Sequence, residues 1–249
     1  MFKWLVSDWH YLLPGPTGFG LEIVRRGLVQ TYCEYDYTVC DSRWDRPQKY
    51  GTGILLRGSV GEEYPSLVLT ADYNCGWPNQ PIKVRQGQYW AYAEPVKRQK
   101  GRLALFRLYQ PKRLGFTPRP ANALPLGDGK LYEGDQAAMV GYHRPLSERN
   151  DYLYCPWPCV LHAEPAKVTT DWEADGHPTR LRVASKNGMN GSPIFARQAV
   201  VGIGLHWRNY PIAGNMAVAD LPELKDFLQG LLGDDGQVVC NKSPMPAEV

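Results

Sequence analysis

The chain has 249 residues, of which 43% are hydrophobic, with 25 glycines, 21 prolines and a formal net charge of +3. That length fits one large domain or two small barrels packed together, with room for an ample core. So small a charge imbalance, with Lys and Arg interleaved among acids and apolar residues, argues against nucleic acid as a partner, because phosphate binding calls for a concentrated basic face.

No run approaches the roughly 18 apolar residues of a membrane span. Phe2-Lys3-Trp4-Leu5-Val6 is too short for the apolar core of a secretion signal, and Asp8 and His10 follow it. The expectation is a cytoplasmic protein with no membrane association. Cysteines stand at 33, 40, 75, 155, 159 and 240. Their number is even, but a chain of this size does not need disulfide staples, and free thiols are expected.

Residues 1–20 are rich in aromatics, Pro and Gly, and read as an extension packed over the body. From Leu21 to Cys40 the alternation fits one or two strands, with Cys33 and Cys40 near each other across a hairpin. The polar stretch Asp41 to Tyr50 reads as a turn. Strands are then predicted at Gly51 to Arg57, Ser66 to Ala71, Ile82 to Val84, Tyr89 to Ala93 and Leu103 to Tyr109. The basic cluster Lys97-Arg98-Gln99-Lys100-Gly101-Arg102 reads as a solvated loop. Gln110 to Pro125, with Pro111, Pro118 and Pro120, is the internal boundary.

Short strands follow at Gln136 to Tyr142, Val160 to Ala163, Thr179 to Ala184, Pro193 to Ala196, Val200 to Trp207 and Met216 to Ala219. One helix is clear. Leu221, Leu224, Phe227, Leu228 and Leu231 form its apolar stripe, Asp220 is the N-cap, Pro222 suits the first turn and Gly233 ends it. The tail from Asp234 is polar and loose. The expected organisation is an N-terminal extension and first β-barrel over residues 1–115, a second β-barrel over 116–220, the helix over 221–233 and the tail over 234–249, in one compact unit.

Three segments carry a resemblance. Gly51-Thr52-Gly53-Ile54-Leu55-Leu56 is followed by Leu67-Val68-Leu69-Thr70-Ala71-Asp72-Tyr73-Asn74-Cys75. Arg102-Leu103-Ala104-Leu105-Phe106-Arg107-Leu108 comes next, and last come Gly188-Met189-Asn190-Gly191-Ser192-Pro193 and Val200-Val201-Gly202-Ile203. In order and spacing these resemble the G-[ST]-G-F-L-I…VLTAAHC, D-[IL]-A-L-L-x-L and G-x-S-G-[GS]-P-x-F…VVGI motifs of trypsin-like serine proteases. The resemblance covers roughly residues 50 to 232 and implies an all-β, chymotrypsin-like double β-barrel with a C-terminal α-helix. The first ~45 residues have no counterpart.

The departures fall on the chemistry that the resemblance implies. Tyr73 stands at the histidine position, Arg102 at the aspartate position and Asn190 at the serine position. An asparagine amide is no nucleophile for acyl transfer. A tyrosine, with an ordinary pKa near 10, is no substitute for an imidazole base, and an arginine repels an imidazolium instead of stabilising it. No I-V-G-G-like segment offers a new N-terminus for zymogen activation, and Ala184, six residues before the serine position, gives no basic-specificity pocket. The backbone amides near Gly188 and Asn190 are left as a vestigial oxyanion hole.

Other constellations were weighed against these. Ser192 with His143, His177 or His206 would be a relocated serine–histidine pair, and Cys75 with a histidine a thiol nucleophile. Cys155, Cys159 and His162 have zinc-like spacing, with His143 as a further candidate, but no evident fourth ligand, so buried thiols or a local disulfide compete with zinc. No metal or other cofactor is expected. The eight Trp and fifteen Tyr are many for this length, and Trp157, His206, Trp207 and Tyr210 are the candidates for contact with a partner.

The resulting expectation is a catalytically inactive pseudoprotease that binds a protein partner as an adaptor or regulatory subunit. The alternative is an active serine endopeptidase with displaced catalytic residues. A trypsin-like chain without a triad or a leader implies a bacterial or phage setting, such as the accessory proteins found beside CRISPR-associated protease systems in antiviral defence.

Overall fold

A computed structural model describes residues 27–34, 48–56, 65–72, 80–86, 89–109, 133–134, 136–143, 160–169, 179–183, 188–196, 199–207 and 215–229. The first strands are β1 (Leu28–Glu34), β2 (Gln48–Leu56), β3 (Leu67–Ala71), β4 (Ile82–Gln86), β5 (Tyr89–Arg98) and β6 (Leu103–Leu108). They close into one barrel in the order β1-β2-β3-β6-β5-β4. The second set is β7 (Gln136–His143), β8 (Val160–Thr169), β9 (Thr179–Arg182), β10 (Pro193–Ala196), β11 (Ala199–Trp207) and β12 (Asn215–Asp220). These close in the order β10-β11-β12-β9-β8-β7. The helix α1 (Leu221–Leu228) follows at once.

Side chains alternate across a strand, so each strand serves two environments. In the first barrel Val29, Leu55, Val68, Ile82, Val84, Ala91, Ala93, Ala104, Phe106 and Leu108 pack together in one buried cluster. Their neighbours Ile54, Leu56, Leu67, Leu69, Leu103 and Leu105 turn the other way. They join Val140, Tyr142, Phe195, Ile203 and Leu205 of the second barrel and Leu224, Phe227 and Leu228 of α1 in a separate cluster. A third cluster, with Met139, Met189, Ile194, Met216 and Val218, belongs to the second set of strands. The middle cluster is the seam that makes two barrels one body. No apolar side chain of β4 or β5 belongs to it.

The strand pattern is close to that read from sequence, with three corrections. Gln48–Tyr50 is not part of a turn but the start of β2, paired with Tyr32, Cys33 and Glu34 of β1. Its polar composition fits a strand end at the barrel rim. The basic cluster 97–102 is not a freely solvated loop, because β5 runs through Arg98 and three of its cations are bonded. The helix ends at Gln229, whose φ of −55° and ψ of 135° leave the helical region, four residues before Gly233. Asp220 caps it as expected, its Oδ1 accepting from the Glu223 amide at 3.2 Å. Cys33 is buried and in no disulfide, with Sγ 3.9 Å from Gln80 Oε1. No helix among the described residues is long and apolar enough to cross a membrane.

Candidate functional site

The loop from Gly188 to Pro193 is a tight turn fixed from several sides. The Ser192 amide donates to the Met189 carbonyl at 3.1 Å. Gly191, third residue of that turn, has φ +81°, the left-handed value a type II turn requires there, and Gly188 has φ +96°. Met189 points into the third cluster and is fully buried. The Gly191 amide donates to the Gly204 carbonyl at 2.7 Å, and the Gly204 amide returns a bond to the Ser192 carbonyl at 2.9 Å. Asn190, half-buried at the second position, is held at the turn by this frame.

The first barrel reaches the same loop through Thr52. Its amide donates to the Asn190 carbonyl at 2.8 Å. Its hydroxyl donates to the Gly188 carbonyl at 3.2 Å and accepts from the Tyr142 amide at 2.9 Å. Its own carbonyl accepts from the Thr70 hydroxyl at 2.7 Å. One buried threonine therefore ties β2, β3, β7 and the turn together. Sequence reading quoted Thr52 within a motif but gave it no role, because its partners lie far along the chain.

Thr70 leads to the next position. Two residues on, the Asp72 amide donates to the Arg102 carbonyl at 2.9 Å. Asn190 thus touches the first barrel at Thr52 of β2, and Arg102 pairs with Asp72 just beyond the end of β3. Tyr73, the third of the expected positions, lies outside the described residues. The Asp72 carboxylate is buried but doubly satisfied, by Arg98 Nε at 2.7 Å and the Gly101 amide at 2.8 Å. Arg102 is engaged elsewhere. Its Nε donates to Glu223 Oε1 at 2.6 Å and its Nη2 to Glu223 Oε2, a bidentate pair with α1. Lys97 Nζ donates to the Phe227 carbonyl at 2.5 Å and lies 5.1 Å from the Phe227 ring centroid. Cations of the first barrel thus grip α1 near both ends, the lysine where the helix dipole favours positive charge. The Asp-x-x-Glu spacing at 220–223 is a capping-box signature, yet the Glu223 side chain bonds Arg102, a non-local use no local motif announces.

Ser192 does not stand where a nucleophile works. It is fully buried, and its hydroxyl has no hydrogen-bond partner among the described residues. It faces Gly141 of β7. A Cβ there would lie 1.8 Å from Ser192 Oγ, 2.9 Å from Ser192 Cβ and 2.9 Å from Thr52 Oγ1. Gly141→Ala is accordingly expected to cost about 2 kcal/mol by overpacking, read as a Tm lower by about 4–8 °C in a thermal melt.

Of the expected partner-contact residues, His206 and Trp207 lie on β11. That strand outruns β10: the β10 ladder stops at Ile203, whereas β12 pairs as far as Trp207. Residues 205–207 therefore have no second strand neighbour among the described residues, an edge suited to an extended peptide. Trp157 and Tyr210 lie outside the described residues, as do Cys40, Cys75, Cys155, Cys159, Cys240, His177, residues 1–26 and the tail. His143 and His162 sit at the end of β7 and on β8. Among the described residues no group of three or more His, Cys, Asp or Glu is gathered for a metal.

No protein-family model matches the chain, and no curated protein matches it. Solved structures do. A protease from M. tuberculosis in its active form superposes with a TM-score of 0.59 at 16% identity, over 89% of this chain and 85% of that one. A scabies mite inactivated protease paralogue does so with a TM-score of 0.58 at 12% identity, over 88% of this chain and 96% of that one. A serine protease of human pathogenic astrovirus gives a TM-score of 0.50 at 14% identity, over 80% and 93%. The chain has the chymotrypsin-like fold. In that chymotrypsin-like frame the expected double barrel and terminal helix stand as read from the sequence, and the 188–193 turn sits at the junction of the two barrels.

Proposed function

We propose that this chain is a non-catalytic, trypsin-like pseudoprotease that binds a partner protein as an adaptor or regulatory subunit. The observation that carries the reading is Asn190, an amide held by two barrels at the turn that resembles a nucleophile loop. Arg102 supports it. Its guanidinium is committed to Glu223, an arrangement that stabilises a helix and offers nothing to a histidine base. The burial of Ser192 weighs against a displaced serine nucleophile. The inactivated mite paralogue shows that this fold also occurs without its chemistry. The amides near Gly188 and Asn190 are, in this reading, a vestigial oxyanion hole, and the stretch of β11 beyond the β10 ladder, at His206 and Trp207, is where a partner segment adds.

A fluorophosphonate probe tests the inactivity. The native chain should remain unlabelled, and labelling mapped to Ser192 would establish a displaced nucleophile. Asn190→Ser alone should also gain no peptidase activity, because Tyr73 and Arg102 remain. Measurable turnover in that variant would refute the assignment of all three positions. The proposed setting is a bacterial defence system built around a CRISPR-associated protease; no motif of the sequence carries it, only the kind of chain, trypsin-like in fold and without a triad. A pull-down from the native host that repeatedly recovers components of such a system supports it, and recovery of an unrelated partner refutes it.

A further inference from the structure

The strands β4 and β5 add no apolar side chain to the seam, and their outward faces lie away from it up to Pro95. A strand face turned to water is normally polar. Here the pattern is reversed: within Trp90-Ala91-Tyr92-Ala93, both alanines point inward and both aromatics outward. Exposed large hydrophobic residues gather here. They are Trp90, Tyr92 and Val96 of β5, and Tyr109, whose amide donates to the Tyr92 carbonyl at 3.0 Å. Trp90 is 46% exposed and Tyr92 41%.

Cations are set among these rings. Lys83 pairs with Tyr92 across the β4–β5 ladder and Arg85 with Trp90. Lys83 Nζ lies 5.7 Å from the Tyr92 ring centroid and 5.9 Å from that of Tyr32. The acid on the face is Glu94, opposite Arg107. It also accepts a hydrogen bond from the Tyr109 phenol. The face therefore presents aromatic area with two cations set opposite its rings.

We propose that this β4–β5 face docks an acidic, apolar-bearing polypeptide segment of the partner, with Trp90 and Tyr92 as anchors and Lys83 and Arg85 receiving its carboxylates. The proposal deepens the adaptor reading and rests on it for the existence of a partner. Charge complementarity selects the occupant: aromatic anchors with flanking cations match a segment that alternates apolar and acidic side chains. A single-stranded nucleic acid fits less well. Trp90 and Tyr92 meet edge-on, with interplanar angle 90° and centroids 5.3 Å apart, and Lys83 lies over the Tyr92 ring, so the rings do not form a stacking platform.

A random 12-residue peptide library displayed on phage, panned against the purified full chain, tests this. Enriched peptides should be rich in Asp, Glu and apolar residues. Their affinity should fall at least tenfold with Trp90→Ala and with Lys83→Glu, and stay unchanged with Lys167→Glu, an exposed cation on β8. Thermal melts establish that each variant is folded, and the charge variant keeps the test intact if removal of the tryptophan disturbs the hairpin. Enriched peptides without acids, or peptides bound equally by the Trp90 and Lys83 variants, overturn the proposal. So does a 20-nucleotide oligo(dT) that binds more tightly than the peptides and loses binding in the Trp90 variant. Fluorophosphonate labelling would end the pseudoprotease reading without touching this surface. Failure of the peptide test would remove the surface and leave the inactive reading standing.

Discussion

Thr52→Val should lower stability by about 3 kcal/mol and Tm by about 6–12 °C. Valine copies the threonine shape, so packing in this fully buried position is little changed. What disappears is the hydroxyl, which donates to the Gly188 carbonyl and accepts from the Tyr142 amide. A buried polar group stripped of its partner loses about 1–3 kcal/mol. Tyr142 is only 5% exposed, so its amide cannot turn to water and carries the larger part, whereas half-buried Gly188 carries less. Thr52→Ser is the control. It keeps the hydroxyl and removes one methyl, for about 1 kcal/mol. Urea and thermal melts read both variants, and a valine variant no less stable than the serine one would show that the hydroxyl's hydrogen bonds do not carry the effect.

The second large effect is expected from Arg102→Asp, the substitution that restores the residue type the family motif carries. It should cost about 3 kcal/mol and restore nothing, because it removes the partner of a largely buried carboxylate and sets a like charge in its place. The side chains of Arg102 and Glu223 are 14% and 20% exposed, and the bidentate bond between them joins the first barrel to α1. An aspartate would set a second carboxylate toward Glu223 in place of a cation. Arg102→Met removes the charge without reversing it, and should cost about 1 kcal/mol, since Glu223 retains some access to water. A Met variant as unstable as the Asp variant would show that the arginine acts through its packing.

The fold was legible because the information is local. Short apolar runs such as Leu67-Val68-Leu69, bounded by turn residues, mark buried strands, and the 188–193 turn announces itself through glycines that the backbone requires at φ +96° and +81°. The Asp220 cap and the Leu224–Phe227–Leu228 stripe are equally local. What stayed hidden depends on chain-distant partners. Arg98 and Arg102 read as loop charges because Asp72 is 26 residues from the first and Glu223 is 121 from the second. The aromatic face of β5 was missed for another reason: Tyr89 to Ala93 reads equally well with either set inward. Only the closed barrel shows that the alanines line the interior, where strands converge and small side chains fit. The signal was present in the alternation of the two smallest apolar side chains with the largest ones, taken as a choice of face.

The contribution of α1 to the seam has a bearing on synthesis. A first barrel can pair its strands once residue 108 has been made, yet Ile54, Leu56, Leu67 and Leu69 face a cluster whose other walls come from β7, β10, β11, β12 and α1. Until residues 221–228 emerge, that apolar wall has no lasting cover. The nascent chain therefore passes through a sticky half-built state, and its final closure follows translation of the helix and does not accompany synthesis of the barrels.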